Sequence, residues 1–291
     1  GINFISAALS LMANMDNLDI KVQNIFHKSK NIPLNFQLSS TVFQNRVDLE
    51  NLLFNFHNIL LTAKGAVTGL QSNLMQINAD IKSNDIQLQS WEALIPILKP
   101  MGVVGTIKLS ASAKGPLNKD LYYDAKLKAS DVSFKFDALS SNPKLNLSME
   151  LSKDNITKFI FKFLAPNNDL TINLKAHSLI NSPVINVDAA SNSIDIDSLL
   201  SDSYKEKFKS ASQTSANTST KSSNSVKASA KDTKDSVKVT QQDTTPPLNI
   251  DQSLEPLKTN DFIKKILLSL NFNVKTFKAL IFNLEMKDIV L

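Results

Sequence analysis

Apolar and polar residues alternate with a period of two through most of this 291-residue chain, and that restricts it to extended structure. The stretch from Asp169 to Leu200 shows the pattern whole. Ile172, Leu174 and Ala176 alternate with Thr171, Asn173 and Lys175, so one face of the segment is apolar and the other hydrated. Asn181, Ser182 and Pro183 break the run, because proline offers no N–H to a ladder and asparagine and serine favour turns. A second run follows, with Ile185, Val187 and Ala189 set against Asn186, Asp188 and Ala190, and Ile194 and Ile196 continue it. Asp197 stands where a helix N-cap would, ahead of Leu199 and Leu200.

The pattern recurs along the chain. Ile107, Leu109, Ala111 and Ala113 oppose Lys108, Ser110, Ser112 and Lys114; Tyr123, Ala125, Leu127 and Ala129 oppose Asp124, Lys126, Lys128 and Ser130. Val132, Phe134 and Phe136 repeat it, as do Leu145, Leu147, Met149 and Leu151, then Phe159, Phe161 and Phe163. Upstream lie Leu18, Ile20 and Val22, then Leu34, Phe36 and Leu38, then Leu52, Phe54 and Phe56; residues 3–12 are looser. Half-apolar strands at spacings near ten residues, joined by short turns, predict an antiparallel meander.

Four stretches interrupt it. The KGAVTG segment, with Gly65 and Gly69 four apart, reads as a turn or bulge between strands. SWEALIPILKP, residues 90–100, reads as a short helix capped by Ser90, with Leu94, Ile95 and Leu98 on one face and a break near Pro96. Trp91, the only tryptophan, reads as its anchor against a sheet end. Residues 201–247, rich in serine, threonine and lysine, have almost nothing to bury and read as a disordered linker. Beyond it, Asn260 or Asp261 caps an expected helix whose Phe262, Ile263, Ile266, Leu267 and Leu270 form an apolar stripe; Phe272 and Val274, then Phe282, Leu284 and Met286, return to strand. Three regions result: 1–200, the linker 201–247, and 248–291.

Composition narrows the function. Only six glycines are present, and none are spaced to cradle a phosphate. Without cysteine there is no thiol nucleophile, disulfide or Cys-based zinc site. Of the net charge of +5, residues 201–240 carry +4 (eight lysines minus four acids), and Arg46 is the single arginine, which argues against nucleic acid. His27, His57 and His177 lie far apart, no G-x-S-x-G is present, and Asp188, Asp195 and Asp197 fit neither a calcium loop nor a paired-acid site. The expectation is a protein without catalytic residues, metal ligands or cofactor. No apolar run is long enough to span a bilayer as a helix. Opening on Gly1 without a basic leader, the sequence reads as a piece of a longer chain.

Three features, taken in order, resemble the AsmA family of bacterial envelope proteins. They are SWEALIPILKPMGVVG followed by GTIKLSASAKG; the proline-led SPVINVDAASNSIDIDSLL; and the Ser/Thr/Lys-rich interruption with its restart as PLNIDQSLEPLKTNDFIKKI and LNFNVKTFKALIFNLEMKDIVL. The resemblance covers most of residues 60–291. An N-terminal membrane anchor and the glycine-rich strands that usually follow the last segment are not in this stretch. The resemblance implies a mainly β fold: a long twisted antiparallel β-meander curled into a groove, with about three short helices. It also implies a place on the periplasmic side of the cell envelope, an inner-membrane anchor in the full-length protein, and a part in outer-membrane biogenesis and lipid movement between membranes.

The residues give that implication a physical form. The expected lining of the groove is Ile107, Leu109, Tyr123, Leu127, Phe134, Leu145, Leu147, Met149, Phe161, Ile172, Leu174, Ile185 and Val187. The expected partner is a phospholipid or other acyl lipid, since exposing a 16-carbon tail to water costs on the order of 12 kcal/mol at ~0.8 per methylene. With no discrete polar anchors, a lipid that binds everywhere alike can slide. The rivals are a structural or adhesive β-rich surface protein and a closed β-sandwich whose apolar faces seal each other.

Overall fold

The computed structural model describes residues 5–72, 74–117, 121–207, 267–279 and 284–290. Its strands are β1 (Ser6–Asn14), β2 (Ile20–Val22), β3 (Phe26–Lys28), β4 (Leu34–Phe43), β5 (Arg46–Phe56), β6 (Ile59–Thr68), β7 (Gln76–Ser83) and β8 (Ile86–Gln87). There follow β9 (Val104–Pro116), β10 (Tyr122–Ser133), β11 (Lys144–Ser152), β12 (Asn155–Ala165), β13 (Asn168–His177), β14 (Val184–Ser191), β15 (Ile194–Asp195), β16 (Leu267–Ala279) and β17 (Leu284–Val290). Fifteen of these build one open sheet in the order β1-β4-β5-β6-β7-β9-β10-β11-β12-β13-β14-β16-β15, with β17 beside β16 and β8 beside β9; β2 and β3 pair separately. The mainly β groove architecture expected from the sequence is the one observed.

From β1 to β14 every pairing within the large sheet is antiparallel, as short turns require. The next is not. β16 lies parallel to β14, with Val184 opposite Leu267 and Ser191 opposite Val274, and parallel to β15. A parallel neighbour needs a long crossover, and the chain between β15 and β16 supplies the length. Residues after the serine-rich stretch therefore join the same sheet as those before it.

Three strands carry bulges, each marked by apolar residues three apart instead of two. The register shifts between Leu49 and Leu52 in β5, between Ala129 and Val132 in β10, and between Ile156 and Phe159 in β12. The extra residue returns the next apolar side chain to the same face and bends the strand, which curls a wide sheet. Gly105 faces the β10 bulge, where a Cβ would come within 2.7 Å of the Val132 Cα.

Several local expectations are corrected. Residues 88–98 form two 3-10 turns, Leu88–Ala93 and Pro96–Leu98, with Gln87 rather than Ser90 at the N-cap, because Pro96 cannot continue the first and opens the second. The cap of helix α1 (Ile196–Leu199) is Asp195, whose carboxylate accepts the Ser198 N–H at 3.1 Å; Asp197 lies in the first turn. Gly65 is inside β6, in register with Leu49 and Ala79, and only Gly69 is in a turn, at φ 76°. Phe134 and Phe136 lie past the end of β10, in the loop to β11. Leu267 and Leu270 are strand residues of β16, where tertiary pairing overrides the helical spacing; the rest of that expected helix, Phe282, and residues 208–247 of the expected linker lie outside the described residues.

Candidate hydrophobic groove

Cross-strand register lines the apolar residues of successive strands into rows. One runs without a break across twelve strands: Leu11, Leu38, Leu52, Ala63, Ile81, Ala111, Ala125, Leu151, Ile156, Ala176, Ile185 and Leu268, each opposite the next. At ~4.8 Å per strand it extends about 50 Å. A parallel row takes in Leu109, Leu127, Met149, Phe159, Leu174, Val187 and Leu270, and another Ile86, Ile107, Ala129, Leu147, Phe161, Ile172, Ala189 and Phe272. None of these rows contains a charged residue. The opposite face carries the lysines, aspartates and asparagines, with Glu150 between Lys126 and Lys158 at 3.4 and 3.5 Å.

The structure thus gathers twelve of the thirteen expected lining residues on one face. Ile107, Leu109, Leu127, Met149, Phe161, Leu147, Ile172, Leu174, Ile185 and Val187 are in these rows; Leu145 pairs with Val132 and Phe163, and Tyr123 with Ala113, on the same side. Phe134 alone sits off the strands, at the start of the loop from β10 to β11. Leu109 is 42% exposed and the other twelve are half-buried. In a sandwich these side chains would be sealed by a facing sheet, and among the described residues the other sheet is the two-stranded β2–β3 pair. The buried aliphatic residues among those described are few, and five of the eight are alanines.

The two long rims of this floor differ. At one rim, short turns join β4 to β5 (residues 44–45), β11 to β12 (153–154) and β13 to β14 (178–183). At the other lie four longer inserts, residues 15–33, 84–103, 134–143 and 192–207; β8 and β15 within them add two-residue pairings to the sheet, and β2 and β3 pair apart from it. These inserts are stitched to one another over the turns between them. The His27 amide donates to the Leu94 carbonyl at 2.8 Å, Lys135 to Met101 at 2.7 Å, Ser140 to Leu199 at 2.9 Å and Ser201 to Ala138 at 2.9 Å, with Leu139 and Leu200 bridged. They rise on the apolar side. Trp91 packs edge-on against Phe56 of the floor at 5.9 Å, its indole N–H donating to Asn58 Oδ1 at 3.0 Å, and Phe26 lies 6.3 Å from Phe56. The expected anchoring role of Trp91 at a sheet end is what the packing shows.

Buried and shared polar groups hold the inserts. Lys28 is fully buried, and its ammonium donates to the carbonyls of Asp16 at 2.9 Å and Leu18 at 3.0 Å. Asp16 accepts the Leu34 N–H at 2.7 Å, and that bond leads the causes that hold its carboxyl below the usual range. At the far end Asp169 is opposed by burial, yet it accepts N–H groups of Ser193 and Asn192 at 2.9 Å and the Asn192 side chain at 2.7 Å, and these lower its pKa. Asn168 gives its amide hydrogens to Pro166 O, Asp195 O and Ser198 Oγ and accepts the Asp195 N–H.

Under α1 the insert and floor form a half-open recess of about 230 Å³ lined by Phe161, Phe163, Leu170, Ile194 and Leu199, with Asn168 and Asp169 at its margin. Sequence reading missed the wall, since its members are separated along the chain and none has a periodic signature. It also missed Ala63, Gly65 and Ala79 in the floor of β6 and β7, where Gly65 stands opposite Ala79 and Ala63 opposite Ile81, because alanine and glycine weaken an apolar alternation. Among the described residues no helix is long and apolar enough to cross a membrane, and no three His, Cys, Asp or Glu side chains converge on a point. Comparison of the chain with family models, curated proteins and solved structures gives no match.

Proposed function

We propose that the protein is an AsmA-like envelope protein whose apolar β-groove carries phospholipid acyl chains between membranes in support of outer-membrane biogenesis. The observation that carries this reading is the uncharged, half-exposed apolar face running unbroken across twelve strands. Each strand's share of that face is costly to leave in water, and a hydrocarbon chain laid on it removes two wet apolar surfaces at once. No covalent step is required. The groove acts by holding tails out of water, and its lack of charged anchors within the rows lets a lipid shift from strand to strand. The protein would work on the periplasmic side of the envelope.

A structural or adhesive β-rich surface protein is the second reading. The outer edge of β1, which no strand pairs among the described residues and where Leu9 and Leu11 are each 52% exposed, favours it, because an unpaired edge invites another strand. Transfer of a fluorescent phospholipid from donor to acceptor vesicles separates the two. The first reading expects transfer that rises with protein concentration; no acceleration over buffer overturns it.

A further inference from the structure

Among the described residues the groove is walled on one long side, and that asymmetry bears on how a lipid sits in it. We infer that an acyl lipid lies crosswise, along the strands, with its chain ends against the insert wall and its headgroup at the rim of tight turns. This rests on the lipid reading above.

Two observations carry it. First, the wall is continuous, since backbone bonds link all four inserts across the intervening β5–β6 and β12–β13 turns. Along the other rim the described turns only extend the pairing of neighbouring strands, so a hydrated headgroup there meets none of the inserts. Second, the recess under α1 suits hydrocarbon and nothing polar. It is larger than the ~150 Å³ apolar cavities that take benzene. Its two polar margin residues are spent on the loop: both Asp169 oxygens accept from residues 191–193, and the Asn168 amide is fully engaged with Pro166, Asp195 and Ser198. A headgroup placed there finds no free partner, whereas a methyl end needs none.

The dimensions agree. From Leu170, at the recess, to Ala176, near the turn rim, β13 advances about 20 Å at ~3.3 Å per residue. One leaflet's hydrocarbon is ~15 Å deep. A tail seated under α1 therefore delivers its headgroup to the β13–β14 turn.

Photocrosslinking tests this with two phosphatidylcholine probes incorporated in vesicles, one with a diazirine at the end of an acyl chain and one with a diazirine on the headgroup. The whole chain is incubated with each, and adducts are mapped by peptide mass spectrometry. Chain-end adducts concentrated in residues 161–170 and 194–199, with headgroup adducts at turns 44–45, 153–154 and 178–182, support the inference. An Ile194→Trp variant, which fills the recess, should lower chain-end adducts there at least fivefold while total bound lipid holds. Adducts of both probes spread alike over the two rims, or an unchanged pattern in Ile194→Trp, overturn the crosswise arrangement but leave lipid binding standing. Absence of adducts from either probe overturns the lipid reading itself.

Discussion

Placing a carboxylate in the middle of the floor should separate folding from lipid binding. Leu174 is half-buried, lies between Ile172 and Ala176 on β13, and faces Phe159 and Val187 across the ladder. Fully burying a leucine stabilises by ~1.5–3 kcal/mol, so Leu174→Asp at this half-exposed position costs about 1–2 kcal/mol once the poor strand propensity of aspartate is added. For a sheet this large that lowers Tm by roughly 2–8 °C. A lipid tail crossing the site must either strip water from the carboxylate, at several kcal/mol, or lift away and leave about three methylenes wet. Lifting is cheaper at ~2.4 kcal/mol, which weakens binding about 60-fold. The assay is lipid phosphorus per protein after incubation with phosphatidylethanolamine/phosphatidylglycerol vesicles, alongside thermal unfolding. Asn173→Asp, one residue away on the hydrated face, is the control and should keep its lipid. Wild-type lipid content in folded Leu174→Asp, or an equal loss in Asn173→Asp, would refute the reasoning.

Other consequences are local. Gly65→Ala should destabilise by about 1–3 kcal/mol, because a Cβ there comes within 2.6 Å of the Asn78 carbonyl and 2.9 Å of Ala79; a urea midpoint equal to wild type would show that the strands separate freely. Trp91→Ala should lose about 2 kcal/mol through the Phe56 contact and the Asn58 hydrogen bond, and in the intact protein the single indole should give a blue-shifted emission that reports this rim alone. Asp169 has a folded pKa below its unfolded value near ~3.9, so its stabilisation is complete above that pH and is lost as pH falls through the folded pKa. Urea midpoints of wild type and Asp169→Asn should therefore converge on acidification below pH ~4; curves that stay parallel would contradict the assignment.

Much of the floor was legible because two-residue alternation fixes both strand and face. Ile107 and Leu109, or Ile172 and Leu174, could be placed on a common side before any pairing was known. Register was not legible, although its clues were present: the three-residue steps Leu49–Leu52, Ala129–Val132 and Ile156–Phe159 mark the bulges that keep the rows aligned. Leu267 and Leu270 were misread because their spacing suits a helix stripe as well as a strand of mixed exposure, and pairing with β14 decided between them. Asp197 and Asp195 are both plausible caps by residue type, and only the Ser198 N–H selects Asp195. The wall over the insert rim was illegible in principle, since contacts such as Lys135 to Met101 and Ser140 to Leu199 join loops with no pattern to announce them.

Whether the exposed apolar face holds hydrocarbon is tested most directly by native mass spectrometry of the whole chain expressed in bacteria and purified without detergent, followed by lipid extraction. Phospholipid retained in stoichiometric amount, and released when Leu174 becomes aspartate, is the predicted result. A lipid-free mass for folded protein that also takes up none from vesicles would contradict it.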